Sequence, residues 1–244
     1  MECINNDIIT IFFETKNALC SHSPFKLKKR CGDYLIKFKY KIWGKHIKNN
    51  KKEYNALIFN RVYFWKNFLK NLLFFDKHFF LINEKVLDVG CGAASASIAI
   101  ACLVSYKNEK RINISLIDKS KRQLSIAQTF INVLSYKIES LQEGVFKFGK
   151  ESYKELVVFS YFFCEQYQEF LKLLYDNRKK FTYGFVIIDY QENIELIKNY
   201  FYISGDKNIK VSYSSYSLPK VLKDIIHEKE VNVYGCYYQP QSKS

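Results

Sequence analysis

Lys85-Val-Leu-Asp-Val-Gly-Cys-Gly-Ala-Ala-Ser95 decides the fold. An apolar run of strand length enters a glycine turn and leaves as a stretch rich in Ala, Ser and Ile, which reads as a helix. Gly90 and Gly92 allow the tight turn and let a ligand approach the backbone with no Cβ in the way. The first N–H groups of the following helix face an anionic ligand group such as a carboxylate. Working outward, a second apolar run, Ile112-Asn-Ile-Ser-Leu-Ile-Asp118, closes on an acid 26 residues past Gly92. A carboxylate at that place accepts two hydroxyl hydrogens at once, as from a ribose.

The same alternation continues to the carboxyl end. Strands are expected at 85–89, 112–117, 144–148, 156–160, 183–188, 210–216 and 231–238. Helices are expected at 93–104, 119–135, 163–175, 192–202 and 219–227. Short apolar runs separated by helical stretches are the pattern of βαβ units and a mostly parallel sheet. Residues 1–82 differ. Leu35, Phe38, Ile42, Trp43 and Ile47, and then Leu57, Ile58, Val62, Trp65, Phe68, Leu69 and Leu72, recur at helical spacing, with no alternating strand. The expected class is α/β, a Rossmann-like seven-stranded mostly parallel sheet with a helical N-terminal extension. The division is into a substrate-binding or lid region at 1–82 and a cofactor domain at 83–244.

Val86-Leu-Asp-Val-Gly-Cys-Gly92 resembles the first motif of the class I S-adenosylmethionine-dependent methyltransferases. Leu116-Ile-Asp-Lys-Ser-Lys-Arg-Gln-Leu124 is similar to their second strand and following turn. The resemblance spans roughly residues 84–238. It implies a sheet that ends in an antiparallel strand, and S-adenosylmethionine as cofactor. The implied cofactor residues are Asp88, Gly90, Cys91, Gly92, Ala94, Asp118, Lys119, Glu151 and Ser160. Within that set Gly90–Ser95 would place the methionine half, Asp88 would reach its amine, Asp118 would hold the ribose, and Glu151 or backbone would meet the adenine. Ala94 stands where the family usually has a third glycine. Any side chain at Gly92 is expected to clash with the ligand or the turn.

The acceptor side is less patterned. The fourth expected strand ends Val157-Val-Phe-Ser-Tyr-Phe-Phe-Cys-Glu165, without the Asn-Pro-Pro-Tyr, Pro-Cys or Lys-Asp-Lys-Glu sets of nucleic-acid methyltransferases. Tyr161 and Glu165 are the candidate catalytic residues, Glu165 as a general base. Tyr190 and His227 are weaker candidates. Cys164 in an apolar neighbourhood reads as an inert thiol.

Composition bounds the rest. The 244 residues carry a net charge of +14, with 48% hydrophobic and 25% charged residues, so a sizeable core is possible. From Lys26 to Lys52 there are eleven Lys or Arg and one acid, placing +10 of the charge in 27 residues. Aromatics lie beside them: Trp43, Tyr54, Tyr63, Phe64 and Trp65. Such interleaving suits stacking on bases with phosphate contacts. RNA is therefore the expected acceptor and partner. A small-molecule acceptor, or a catalytically silent interaction protein of the same fold, is the alternative. Seven cysteines without C-x-x-C spacing argue against a zinc site or a disulfide framework, so no metal is expected. No apolar run of about 18 residues and no basic lead-in with an apolar core occurs, so the expectation is a cytoplasmic protein without a membrane span.

Overall fold

Valine, isoleucine and leucine dominate Lys85–Val89 (β2), Asn113–Asp118 (β3), Leu156–Ser160 (β5) and Phe185–Ile188 (β6), and nearly every residue in them is buried. Strands apolar on both faces need a cover on both faces, which is the condition of a central parallel sheet. The computed structural model describes residues 1–21, 52–107, 112–162 and 168–240. The other strands are Glu2–Cys3 (β1), Lys137–Glu143 (β4), Ile209–Ser217 (β7) and Glu230–Tyr238 (β8). The sheet runs β1-β7-β8-β6-β5-β2-β3-β4, and every pairing is parallel except the two that β8 makes with β6 and β7.

Helices Asn6–Ser21 (α1), Lys52–Lys77 (α2), Ser95–Tyr106 (α3), Lys121–Val133 (α4) and Lys220–Ile226 (α7) cover one face. Gln168–Asn177 (α5) and Gln191–Ile203 (α6) cover the other. Phe12, Phe64, Trp65, Phe68 and Phe130 join α1, α2 and α4 through edge-to-face and tilted ring contacts. On the far face Phe146, Phe159, Phe170, Phe181 and Phe185 do the same. Such pairs add about 0.5–1.5 kcal/mol each beyond area burial.

The Rossmann-like reading and the antiparallel last strand hold. Two details are corrected. Among the described residues the sheet has eight strands, because Glu2–Cys3 pairs with Tyr216 and Ser217 at one edge; two residues are too few to leave a periodic trace. The strand expected at 144–148 lies instead at 137–143. Ser135, in the left-handed region, ends the helix early and turns the chain into β4. That strand is a mostly exposed edge with polar residues, so it lacks the apolar run by which a central strand is read. Phe146 then leaves the sheet and enters the core.

Phe64 and Trp65 are buried in the first core and are not available to stack on bases. The basic stretch 26–51, with Trp43, and the side chain of Tyr54 lie outside the described residues, as do Glu165 and Cys164. No described helix is long and apolar enough to cross a membrane.

Candidate functional site

At the carboxyl ends of β2, β3, β5 and β6 the chain changes from apolar to polar within a few residues. Strand order places Asp88 and Asp118 on neighbouring parallel strands, Asp88 opposite Leu116 and Asp118 two residues further along β3. The turn between β2 and α3 holds Gly90, Gly92 and Ala94 at positive φ. Ala94 is the N-cap of α3 in the left-handed conformation, at φ 61° and ψ 37°. That geometry disfavours a Cβ by about 1–2 kcal/mol.

The two aspartates secure the turn. Asp118 accepts from the Gly92 N–H at 2.8 Å through Oδ2 and from the Ser120 N–H at 2.8 Å through Oδ1. Asp88 accepts through Oδ2 from the Ser97 hydroxyl at 2.7 Å and the Ser97 N–H at 3.2 Å. Two amides that the sequence left for a ligand are thus engaged by the protein. Asp88 Oδ1 is different: it is buried and has no hydrogen-bond partner. Burial pushes the Asp88 carboxyl up to about 6, against the Ser97 bonds that pull it down, and Asp118 adds like-charge repulsion. A carboxylate oxygen left unpaired in the interior is costly, and a cation brought to it relieves that cost.

A pH dependence follows. The native state holds the Asp88 proton more tightly than the unfolded chain does. Stability therefore falls as pH rises from about 4 through 6, by on the order of 3 kcal/mol, and is level above. Denaturant melts of Asp88→Asn should lack this slope, so the gap between variant and parent changes from pH 4 to pH 7. Parallel pH profiles would remove Asp88 as its source.

Gly92 has open space where a Cβ would stand, with no described residue beyond its chain neighbours within 4 Å. The close approach lies at Gly90, where a Cβ would meet the Phe162 ring at 2.4 Å. The Cys91 thiol is buried and held far above its ordinary range by that burial, which makes it a packing group. Lys119 is exposed beside Asp118.

Ser160 and Tyr161 close β5. Tyr161 sits at φ 55°, an uncommon conformation for a bulky side chain and one found at functional sites. Its N–H bonds Ile188 O at 2.8 Å, and its ring meets Tyr190 edge to face at 5.8 Å. Ser160 donates to Asn71 Oδ1 at 3.1 Å, and Asn71 donates to Ser95 Oγ at 3.2 Å. Asn71 is fully buried on α2, so this bridge straps the N-terminal helix across the glycine turn. Asp189, buried at the end of β6, accepts from the Tyr190 N–H and from Asn193. Lys70, next to Asn71, is 8% exposed and stands 5.6 Å over the Tyr161 ring.

Asp88, Gly90, Cys91, Gly92, Ala94, Asp118, Lys119, Ser160 and Tyr161 therefore lie at one end of the sheet. Glu151 does not join them. It is exposed on a segment that Tyr153 and Lys180 tie to the turn before β6, toward the opposite end of the strands. His227 is an exposed C-cap of α7. Sequence reasoning missed Lys70, Asn71 and Ser97. The available signal was a Lys-Asn pair inside the apolar run Phe68–Phe75.

No protein-family model matches the chain, and no curated protein matches it in sequence. Among solved structures, it is similar to a putative class I S-adenosylmethionine-dependent methyltransferase from Listeria monocytogenes, at 10% identity and a TM-score of 0.48, over 99% of this chain and 90% of that one. It is also similar to the METTL16 MTase domain, at 14% identity and 0.47, over 89% and 96%. A SAM-dependent methyltransferase from Aquifex aeolicus gives 16% and 0.46, over 78% and 98%. These likenesses concern the fold alone. The chain's own strand order, its one antiparallel strand and its glycine turn facing an acid-ended neighbour are those expected of the class I methyltransferase fold that its first motif resembles.

Proposed function

We propose that this chain transfers a methyl group from S-adenosylmethionine to an acceptor, with RNA as that acceptor. The observation that carries the cofactor reading is Asp88 Oδ1, a buried carboxylate oxygen without a partner beside a glycine turn that leaves space open. An amino-acid ammonium group is the cation such an oxygen fits, and the residues present therefore fit the methionine half. Asp118 would take the ribose hydroxyls with its remaining lone pairs, and Gly90–Ser95 would seat the chain between them.

When bound, the cofactor supplies a methyl group already activated on a sulfonium. The protein's task is then proximity and orientation. The Ser95–Asn71–Ser160 bridge fixes the turn against β5, and Tyr161 and Tyr190 wall the side from which an acceptor would approach. Glu165 remains the proposed general base.

Asp118→Ala should lose the ribose bonds, at about 1.5–3 kcal/mol, or tenfold or more in affinity for S-adenosylhomocysteine by calorimetry. An unchanged affinity would remove Asp118 from the site. Turnover of methyl-labelled cofactor on total RNA against a metabolite extract tests the acceptor. Cofactor binding without turnover on either would favour an interaction protein.

The RNA reading rests on the charge at 26–52. Lys37, Lys41, Lys45 and Lys48, at helical spacings of three and four, are its proposed phosphate partners. Replacing all four with Gln should weaken single-stranded RNA binding. It should also reduce the salt dependence by about 0.7 log unit for each phosphate left without its lysine. Equal affinity and equal slope in variant and parent would make the small-molecule acceptor the better reading.

A further inference from the structure

Lys70 is a mostly buried charged group at this end of the sheet that the cofactor reading does not use. It lies on α2, 8% exposed, in the same turn as the Asn71 bridge. The acids that face it are already engaged. Glu228, just past α7, pairs with Lys66 at 2.5 Å, and Asp189, at the end of β6, accepts from the Tyr190 N–H at 2.7 Å and Asn193 at 2.8 Å. From β5 it meets the face of the Tyr161 ring, and from its own helix the like charge of Lys66. Among the described residues no oxygen accepts a hydrogen bond from its ammonium. Lys70 is not fully enclosed, since 8% of its surface stays exposed.

We propose that Lys70 is an acceptor-recognition residue: its ammonium binds an anionic oxygen group, phosphate or carboxylate, on the molecule to be methylated, and holds that molecule against Tyr161. The inference rests on the methyl-transfer reading for the acceptor's role. Three donors with no acceptor, on a side chain that is mostly buried, gain far more from an anion than a surface lysine does. Tyr161 complements them by offering a flat apolar wall and the favourable face of its ring to the ammonium. Tyr161 stands there on a backbone at φ 55°, a conformation that clusters at binding and active sites.

Burial and the Lys66 charge pull Lys70 down to about 8, only partly offset by Glu228 and Asp189. An anion bound to the ammonium must raise it again. With 13C-labelled lysine, the Cε signal absent from Lys70→Arg reports this titration directly. In the free protein its midpoint should fall near pH 8. Inorganic phosphate or acetate, added at constant ionic strength set with sodium chloride, should raise the midpoint. The rise is about one pH unit at about ten times the dissociation constant. A response to phosphate alone points to a nucleotide-like acceptor; a response to acetate points to a carboxylate. A Lys70 signal that titrates identically in chloride, phosphate and acetate overturns the proposal. Calorimetry with S-adenosylhomocysteine is run beside it. Lys70→Met should keep that binding, and failure of the parent to bind would sink the methyl-transfer reading without touching the anion result.

Discussion

Gly92→Val is expected to leave a folded protein that no longer binds S-adenosylhomocysteine. Gly92 sits at φ +52°, where a β-branched residue is strained by about 1–3 kcal/mol, so a loss of stability in that range should appear in denaturant melts. The loss stays in that range because, among the described residues beyond its chain neighbours, nothing lies within 4 Å of the position its Cβ would take. Gly92 also donates its N–H to Asp118, and a ligand seated on the turn as proposed would use the space beside it. A valine projects into it. Strain then accounts for the stability change and occlusion for the lost binding, and calorimetry separates the two. Binding retained at parental affinity would make the loop a structural turn and nothing more.

Gly184→Val is expected to prevent folding outright, for the opposite reason. Gly184 also has positive φ, +82°, but its Cβ would stand 2.0 Å from the backbone oxygen of Tyr238. That oxygen belongs to β8, which pairs with β6 from Phe185 onward. Neither strand can move away without opening the antiparallel pairing that seats β8 in the sheet. Backbone overlap with no flexible side chain to yield belongs with the largest destabilisations, above about 4 kcal/mol, a large share of a domain's total. Loss of the cooperative thermal transition and of soluble expression would confirm it. A variant with parental stability would mean that β6 and β8 do not approach as described.

The contrast between these glycines shows what a sequence carries. Gly90-Cys-Gly92 was legible because a strand precedes it, a helix follows it and Asp118 closes the next apolar run; all are local patterns. Gly184 gave no signal, since its constraint comes from Tyr238, 54 residues away. The same division runs through the site. Asp88 and Asp118 could be picked out by their places at strand ends, but not the division of labour that engages Asp118 on both oxygens and leaves Asp88 Oδ1 unpaired. Glu151 follows the strand expected at 144–148, and that strand lies several residues earlier, at Lys137–Glu143.

By itself, then, the sequence determined the α/β class, the central strands, the covering helices after residue 84 and the glycine turn. Each follows from periodicity or turn chemistry within about a dozen residues. Tertiary structure decided the eighth strand, the polar edge strand at 137–143, and the burial of Phe64 and Trp65. It also decided the approach of Lys70 and Asn71 to the ends of β2 and β5. Those depend on which surfaces meet across the sheet. A lysine in an apolar helical run reads the same whether it faces water or a tyrosine ring, until packing brings the ring to it.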